Sequence, residues 1–325
     1  MLRRPRRLRY TDAISSLVQE TRLHAHDLVL PLFILPGSNQ KESIKSMPGC
    51  ERLSLDLLLK ELTALHKKGL QAVALFPVID KSLKDLTGSY GLREDGILPR
   101  ALTLLKKELP ELCLISDVAL DPYTCHGHDG LLNNVGYVIN DETVILLTEM
   151  AKLHAASGAD IVAPSDMMDG RVLAIRRSLD SAHYNHTLIL SYTAKYASSL
   201  YHPFREALSS HLSSGHKKTY QMNPANKREA LVEASLDSEE GADMLMVKPA
   251  GFYLDVIAAL RSATSLPLAA YQVSGEYAMM QAAAQNGWLP FESVLMESLL
   301  SIKRAGADII LTYGAKTALD LLNDP

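Results

Sequence analysis

The stretch EEGADMLMVKP, residues 239–249, ends one element and begins another, and its reading decides the fold. Gly241 stands where a helix terminates in the left-handed conformation that glycine adopts at least cost. The apolar run after it does not alternate with polar residues and is stopped by Lys248. That is the pattern of a parallel strand covered on both faces. The same join recurs in KKGLQAVALFP (67–77), ASGADIVAPS (156–165) and RAGADIILTYG (304–314), with Gly69, Gly158 and Gly306 in the equivalent place. The repeated unit is helix, glycine, strand.

Working outward, eight apolar runs punctuate the chain, starting at Leu28, Ala72, Leu112, Ala159, Thr187, Ala242, Pro267 and Ala307. Between them lie helical patterns such as DETVILLTEMAKLHAASG (141–158) and FESVLMESLLSIKRAG (291–306). Eight strand–helix units predict an α/β fold, a closed (β/α)8 TIM barrel, rather than an open doubly wound sheet. No GxGxxG follows the first run, which argues against a dinucleotide site. No linker divides the chain, so residues 26–325 are expected to form one barrel domain behind an arm, residues 1–25. The arm opens MLRRPRRLRY, but Asp12 follows at once and no apolar signal core appears. An arm packed on a neighbouring subunit is the expectation.

With Lys+Arg 33 against Asp+Glu 37, the net charge of −4 gives no reason to expect nucleic acid. No stretch approaches the ~18 apolar residues of a membrane span. Cys50, Cys113 and Cys125 lack CxxC spacing and suggest a reducing compartment, so a soluble cytoplasmic protein is expected.

A barrel forms its site at the carboxyl ends of its strands. Those ends read Asp117, then Ser165 and Asp166, then Lys195, Lys248, Ser274 and Tyr313. Polar strand ends are commonplace, but two lysines closing apolar neighbouring strands are not. Ammonium groups brought together and partly desolvated repel, and at least one pKa falls toward neutrality. A neutral lysine amine attacks a ketone or aldehyde to form a Schiff base.

After the fifth strand comes a long connection, Tyr196 to about Asn226, rich in Ser, Gly and His and carrying Arg205, Lys217 and Lys218. It reads as a lid with a flexible middle, its cations suited to a carboxylate substrate. The segment DVALDPYTCHGHDG (117–130) offers Asp117, Asp121, Cys125, His126, His128 and Asp129. A hard cation, a zinc ion or a mobile polar loop all fit that spacing.

The strings SYTAKYAS (191–198), MLMVKPAG (244–251), YQVSGEYAM (271–279), GADIILTY (306–313), VAPSDMMDGRV (162–172) and KKTYQMNPAN (217–226) resemble the signatures of the porphobilinogen synthase, or 5-aminolevulinate dehydratase, family. The resemblance runs from RPRRLRY to the last strand. It implies a homo-octamer with arms wrapped around neighbours, and a hydro-lyase of tetrapyrrole (heme) synthesis. The implied reaction condenses two molecules of 5-aminolevulinate to porphobilinogen with loss of two waters. By motif, Lys248 would form the Schiff base, with Lys195 beside it as a second Schiff base or a proton-transfer group. Ser274 and Tyr313 match groups holding the first substrate's carboxylate, and Arg205 and Lys217 those holding the second. Asp117, Asp121, Asp129 and Ser165 would be supporting polar groups.

Zinc-dependent members of that family carry three cysteines where this chain has Ala119, Asp121 and Asp129, and Cys125 matches none of them. The resemblance is thus to an aspartate-rich branch without catalytic zinc. Glu233 aligns with the glutamate of a stimulatory, allosteric Mg2+ site, and one carboxylate suffices for a largely hydrated Mg2+. His202 and His216 depart from the usual lid residues without removing a cation. A class I aldolase would need a lysine on the sixth strand but not the second lysine or two sets of carboxylate-holding groups. A non-catalytic barrel would have lost these strand-end residues.

Overall fold

A computed structural model of the chain describes residues 1–208, 212, 213 and 215–323. The middle of the expected lid, at Ser209–His211 and Ser214, lies outside the described residues. The strands of the barrel are β1 (Leu28–Leu35), β4 (Ala72–Pro77), β5 (Cys113–Val118), β6 (Ile161–Pro164), β7 (Leu188–Lys195), β8 (Met244–Lys248), β9 (Leu268–Gln272) and β10 (Ile309–Thr312). All neighbours in this order are parallel, and β10 returns to β1 through Leu28↔Ile310 and Val29↔Leu311, closing the sheet. The expected (β/α)8 barrel is the fold.

The helices that cover it include α2 (Leu55–Lys67), α3 (Ile97–Glu108), α4 (Asn140–Ala156), α5 (Arg171–Ser181), α7 (Arg228–Glu239), α8 (Leu254–Ala263), α9 (Ser274–Gln285), α10 (Phe291–Ala305) and α11 (Ala315–Asn323). Strand side chains alternate between two buried layers. Leu75, Val162, Leu245, Val247 and Ile310 face the helices, whereas Phe76, Ile115, Tyr192, Met246 and Tyr271 fill the barrel. Two buried faces explain why the strands read as unbroken apolar runs.

Gly69, Gly158, Gly241 and Gly306 take φ values of +101°, +104°, +101° and +118°. In each case the next residue's N–H reaches back five residues, as Leu70 to Leu65, Ala159 to His154, Ala242 to Asp237 and Ala307 to Ile302. This is one cap used four times, and it sets the angle at which helix gives way to strand.

Two short strands outside the barrel, β2 (Lys41–Ser43) and β3 (Glu51–Ser54), extend the sheet beside β1. They escape sequence reading because β2 is wholly exposed and polar. Residues 1–27 include one short α-helix, α1 (Asp12–Leu17), between two 3-10 turns, and no fully buried side chain, with Tyr10 84% and Leu17 81% exposed. Lys303 anchors the base of this arm through Asp27 at 2.9 Å.

Candidate active site

Lys248 is the last residue of β8 and lies two positions beyond Met246, so it points into the barrel like Met246. Its Nζ sits 4.4 Å from the ring centre of Tyr271, 5.0 Å from Tyr192, 5.1 Å from Phe204 and 5.3 Å from Tyr201. Aromatic faces attract a cation. Burial, followed by repulsion from Lys195, works the other way and lowers the Lys248 pKa from the ordinary 10.5 to about 7. The rings therefore exclude water more than they hold charge, and a neutral amine is present at physiological pH.

Lys195 ends β7 directly opposite Lys248 in the strand register. Its Nζ donates to the Ser165 carbonyl, lies 3.9 Å from Asp129 Oδ1 and is 5.9 Å from the same Tyr192 ring. Ser165, just beyond β6, thus meets Lys195 through its carbonyl and Asp117 through its side chain. Asp117 lies within β5 rather than after it, on the inward face. Burial, with help from Asp121 and against the two lysines, pushes its carboxyl up to about 7.

The connection after β5 folds Asp121 and Asp129 under the barrel mouth, where both meet Lys217. The Lys217 ammonium is 3.1 Å from Asp129 Oδ1 and 3.3 Å from Asp121 Oδ2. Burial alone would raise Asp129, but Lys195 and Lys217 outweigh it and hold that carboxyl well below the usual range. Burial raises Asp121 despite Lys217. Two adjacent carboxyls cannot both ionise cheaply, and the pair is driven apart, Asp121 upward and Asp129 downward. Burial disfavours the Lys217 charge, but the two aspartates more than restore it. Among the described residues no three of His, Cys, Asp and Glu converge to hold a metal ion.

Ser274 opens α9, and its Oγ accepts from Phe204 N at 3.0 Å and donates to Leu200 O at 3.2 Å, both on the lid connection. Tyr313, just beyond β10, shares a 2.9 Å hydrogen bond with the Tyr271 hydroxyl and stacks on Phe33. Arg205 is half-buried on α6 (His202–Ala207), next to Phe204. Glu233 lies on the far side of Tyr220 and shares a cavity with it. It lies on α7, half-buried, and lines a cavity of about 350 Å3 with Asp169, Glu229 and Asn226. Burial raises its carboxyl to about 7 against the pull of Arg171, with Asp237, Asp169 and Glu229 adding repulsion.

Sequence reading missed the aromatic box of Tyr192, Tyr201, Phe204 and Tyr271, although Tyr192 and Tyr271 stand within quoted strings, SYTAKYAS and YQVSGEYAM. Strand parity held the signal for two members, since Tyr271 shares the inner face of β9 with Ala269 and Tyr192 that of β7 with Leu190. Tyr220 was also missed; its hydroxyl meets His128 Nδ1 at 3.2 Å and Asp129 N at 3.4 Å.

A closed parallel barrel with a depressed-pKa lysine at its carboxyl mouth and a second lysine beside it defines a class, the barrels equipped for amine attack on a carbonyl. The comparisons narrow the class. The family model for delta-aminolevulinic acid dehydratase matches residues 2–321. The chain is 59% identical to delta-aminolevulinic acid dehydratase of Chlamydia pneumoniae, over 99% of this chain and 96% of that protein. It is 50% identical to the Bradyrhizobium diazoefficiens protein of the same name, over 98% and 90%. It superposes with a TM-score of 0.97, at 49% identity and covering 99% and 92% of the two chains, on the crystal structure of the Toxoplasma gondii dehydratase in complex with the reaction product porphobilinogen. The chain belongs to the delta-aminolevulinic acid dehydratase family.

Proposed function

We infer that the chain is a porphobilinogen synthase, a lyase of tetrapyrrole synthesis that condenses two molecules of 5-aminolevulinate to porphobilinogen with loss of two waters. The observation that carries this reading is the buried Lys248 amine with its pKa near 7. Its nitrogen attacks the substrate ketone, forming a C–N bond while the oxygen takes up a proton. Loss of that oxygen as water, with the second nitrogen proton, leaves the imine. Asp117, half-ionised near neutrality and within electrostatic reach of both lysines, is suited to exchange those protons. Lys195 beside Lys248 favours the neutral form of its neighbour by repulsion, and its position equally admits a second Schiff base.

The mouth offers hydroxyls at Ser274 and Tyr313 for one substrate carboxylate and cations at Arg205 and Lys217 for the other. Lys217 is already bound to Asp121 and Asp129, and this pairing supports a site that works without catalytic zinc. A lysine ammonium stands beside two of the positions where zinc-dependent relatives hold metal. Activity should survive a zinc-selective chelator. Recovery only on added zinc would reverse that point.

Stimulatory, allosteric Mg2+ is assigned to Glu233. The residues fit the ion: burial, joined by repulsion from Asp237, Asp169 and Glu229, raises the Glu233 carboxyl to about 7, and a divalent cation offsets that cost. Assembly as a homo-octamer is supported by an arm that is largely exposed and packs on the barrel only at its base, through Leu23 and Ala25. Among the described residues no helix is long and apolar enough to cross a membrane. A cytoplasmic location is proposed on the three free cysteines.

The test is direct. Purified protein given 5-aminolevulinate should form one porphobilinogen for each two substrates consumed, and Lys248→Ala should form none. Absence of the pyrrole from the unmodified protein would refute the assignment.

A further inference from the structure

Strand β7 carries one residue more than β8 between the two registers that join them. Leu190 and Ser191 oppose Met244 and Leu245, whereas Ala194 and Lys195 oppose Val247 and Lys248. This bulge decides where Lys195 points. Side chains on a regular strand alternate faces, and Tyr192 points into the barrel, so a residue three positions later belongs on the helix side. The extra residue returns Lys195 to the inner face, beside Lys248.

What holds the bulge lies on the opposite side of the sheet. Asp237, buried on α7, accepts hydrogen bonds of 2.7 Å from the hydroxyls of both Ser191 and Thr193. Arg171 of α5 donates to Ser191 Oγ at 3.0 Å, lies 3.5 Å from Asp237 Oδ1 and 3.7 Å from Asp166 Oδ2. Asp166 directly follows Ser165, whose carbonyl accepts from Lys195 Nζ. One cluster thus reaches both the bulge and the acceptor of the lysine it displays. All five side chains are buried. Ionic groups buried this far from solvent are costly, and apolar residues serve the same helix-facing positions elsewhere, as Leu75, Val162 and Val247 do.

We propose that Asp237 and Arg171 are positioning residues that clamp Ser191 and Thr193, fix the β7 bulge and so aim Lys195 at Lys248. The inference shares its lysine pair with the proposed function, but its test needs no substrate. Lys248 is faced by Lys195, Asp117, Asp121 and Asp129 and by the rings of Tyr192, Tyr201 and Tyr271. Formaldehyde with cyanoborohydride methylates only neutral amines, so labelling of the Lys248 peptide against pH reads how strongly Lys195 repels its proton. With Asp237→Asn, Lys195 swings away and the midpoint rises by about half a pH unit or more. Lys195→Ala raises it likewise, and adding Asp237→Asn to Lys195→Ala raises it no further, because the two act through one contact. An unchanged midpoint in folded Asp237→Asn protein, or a shift that persists undiminished in the Lys195→Ala background, overturns the proposal. Should Asp237→Asn not fold, Thr193→Val removes one bond and leaves the Asp237–Arg171 pair. Its midpoint must also rise, and a fixed midpoint is equally fatal. Lack of turnover with 5-aminolevulinate would count against the proposed function alone.

Discussion

At the scale of residues, two buried groups reach a pKa near 7 from opposite directions. Burial and Lys195 bring Lys248 down to about 7, while burial and Asp121 bring Asp117 up to about 7. Lys248 must lose a proton to attack, so activity rises as pH climbs through that value. Asp117 must hold one to deliver it, so activity falls again as pH climbs further. The account predicts a narrow bell of kcat/KM centred near neutrality. Asp117→Asn should lower kcat by about 10²- to 10⁴-fold and remove the alkaline limb, leaving the acid limb in place. A profile with both limbs intact would take Asp117 out of proton transfer. The lysines were legible because charge at the end of an apolar run is physically expensive. The aromatic box was not, since tyrosine and phenylalanine inside a barrel look like ordinary core until the lid connection brings Tyr201 and Phe204 onto Lys248.

At the scale of elements, the helix–glycine–strand join does most of the work of repetition. Replacing Gly306 tests it, because its φ of +118° strains any side chain and a Cβ there would meet Arg261 Cγ at 2.6 Å. Gly306→Ala should cost at least about 1–2 kcal/mol, lowering Tm by roughly 2–4 °C per kcal/mol. An unchanged Tm would show that the cap is dispensable. The joins and the eight barrel strands could be read from sequence since each is local: a glycine, a buried run, a polar stop. The bulge in β7 could not. Nothing in SYTAK marks an extra residue, and parity counted from Tyr192 sends Lys195 to the wrong face; only the register against β8 reveals the correction. The β2–β3 pair stayed hidden for a similar reason, its pairing being set by β1 rather than by its own pattern.

At the scale of the whole molecule, the Glu233 cavity borders the barrel mouth through Tyr220, and the arm is a further surface that meets the barrel only at its base. Mg2+ titrated by calorimetry should bind the unmodified protein, and Glu233→Gln should weaken that binding at least about tenfold, near 1.4 kcal/mol. Equal binding by both proteins would remove Glu233 from the magnesium site. Removing residues 1–25 should reduce the mass of the assembly in solution while leaving its helix and strand content intact, and an unchanged mass would detach the arm from assembly. The central claim concerns neither of these but the amine at the end of β8. Treating the protein with 5-aminolevulinate and borohydride, then mapping the reduced adduct by mass spectrometry, tests it most directly. The account predicts the adduct on Lys248, with or without a second on Lys195; an unlabelled pair of lysines would contradict it.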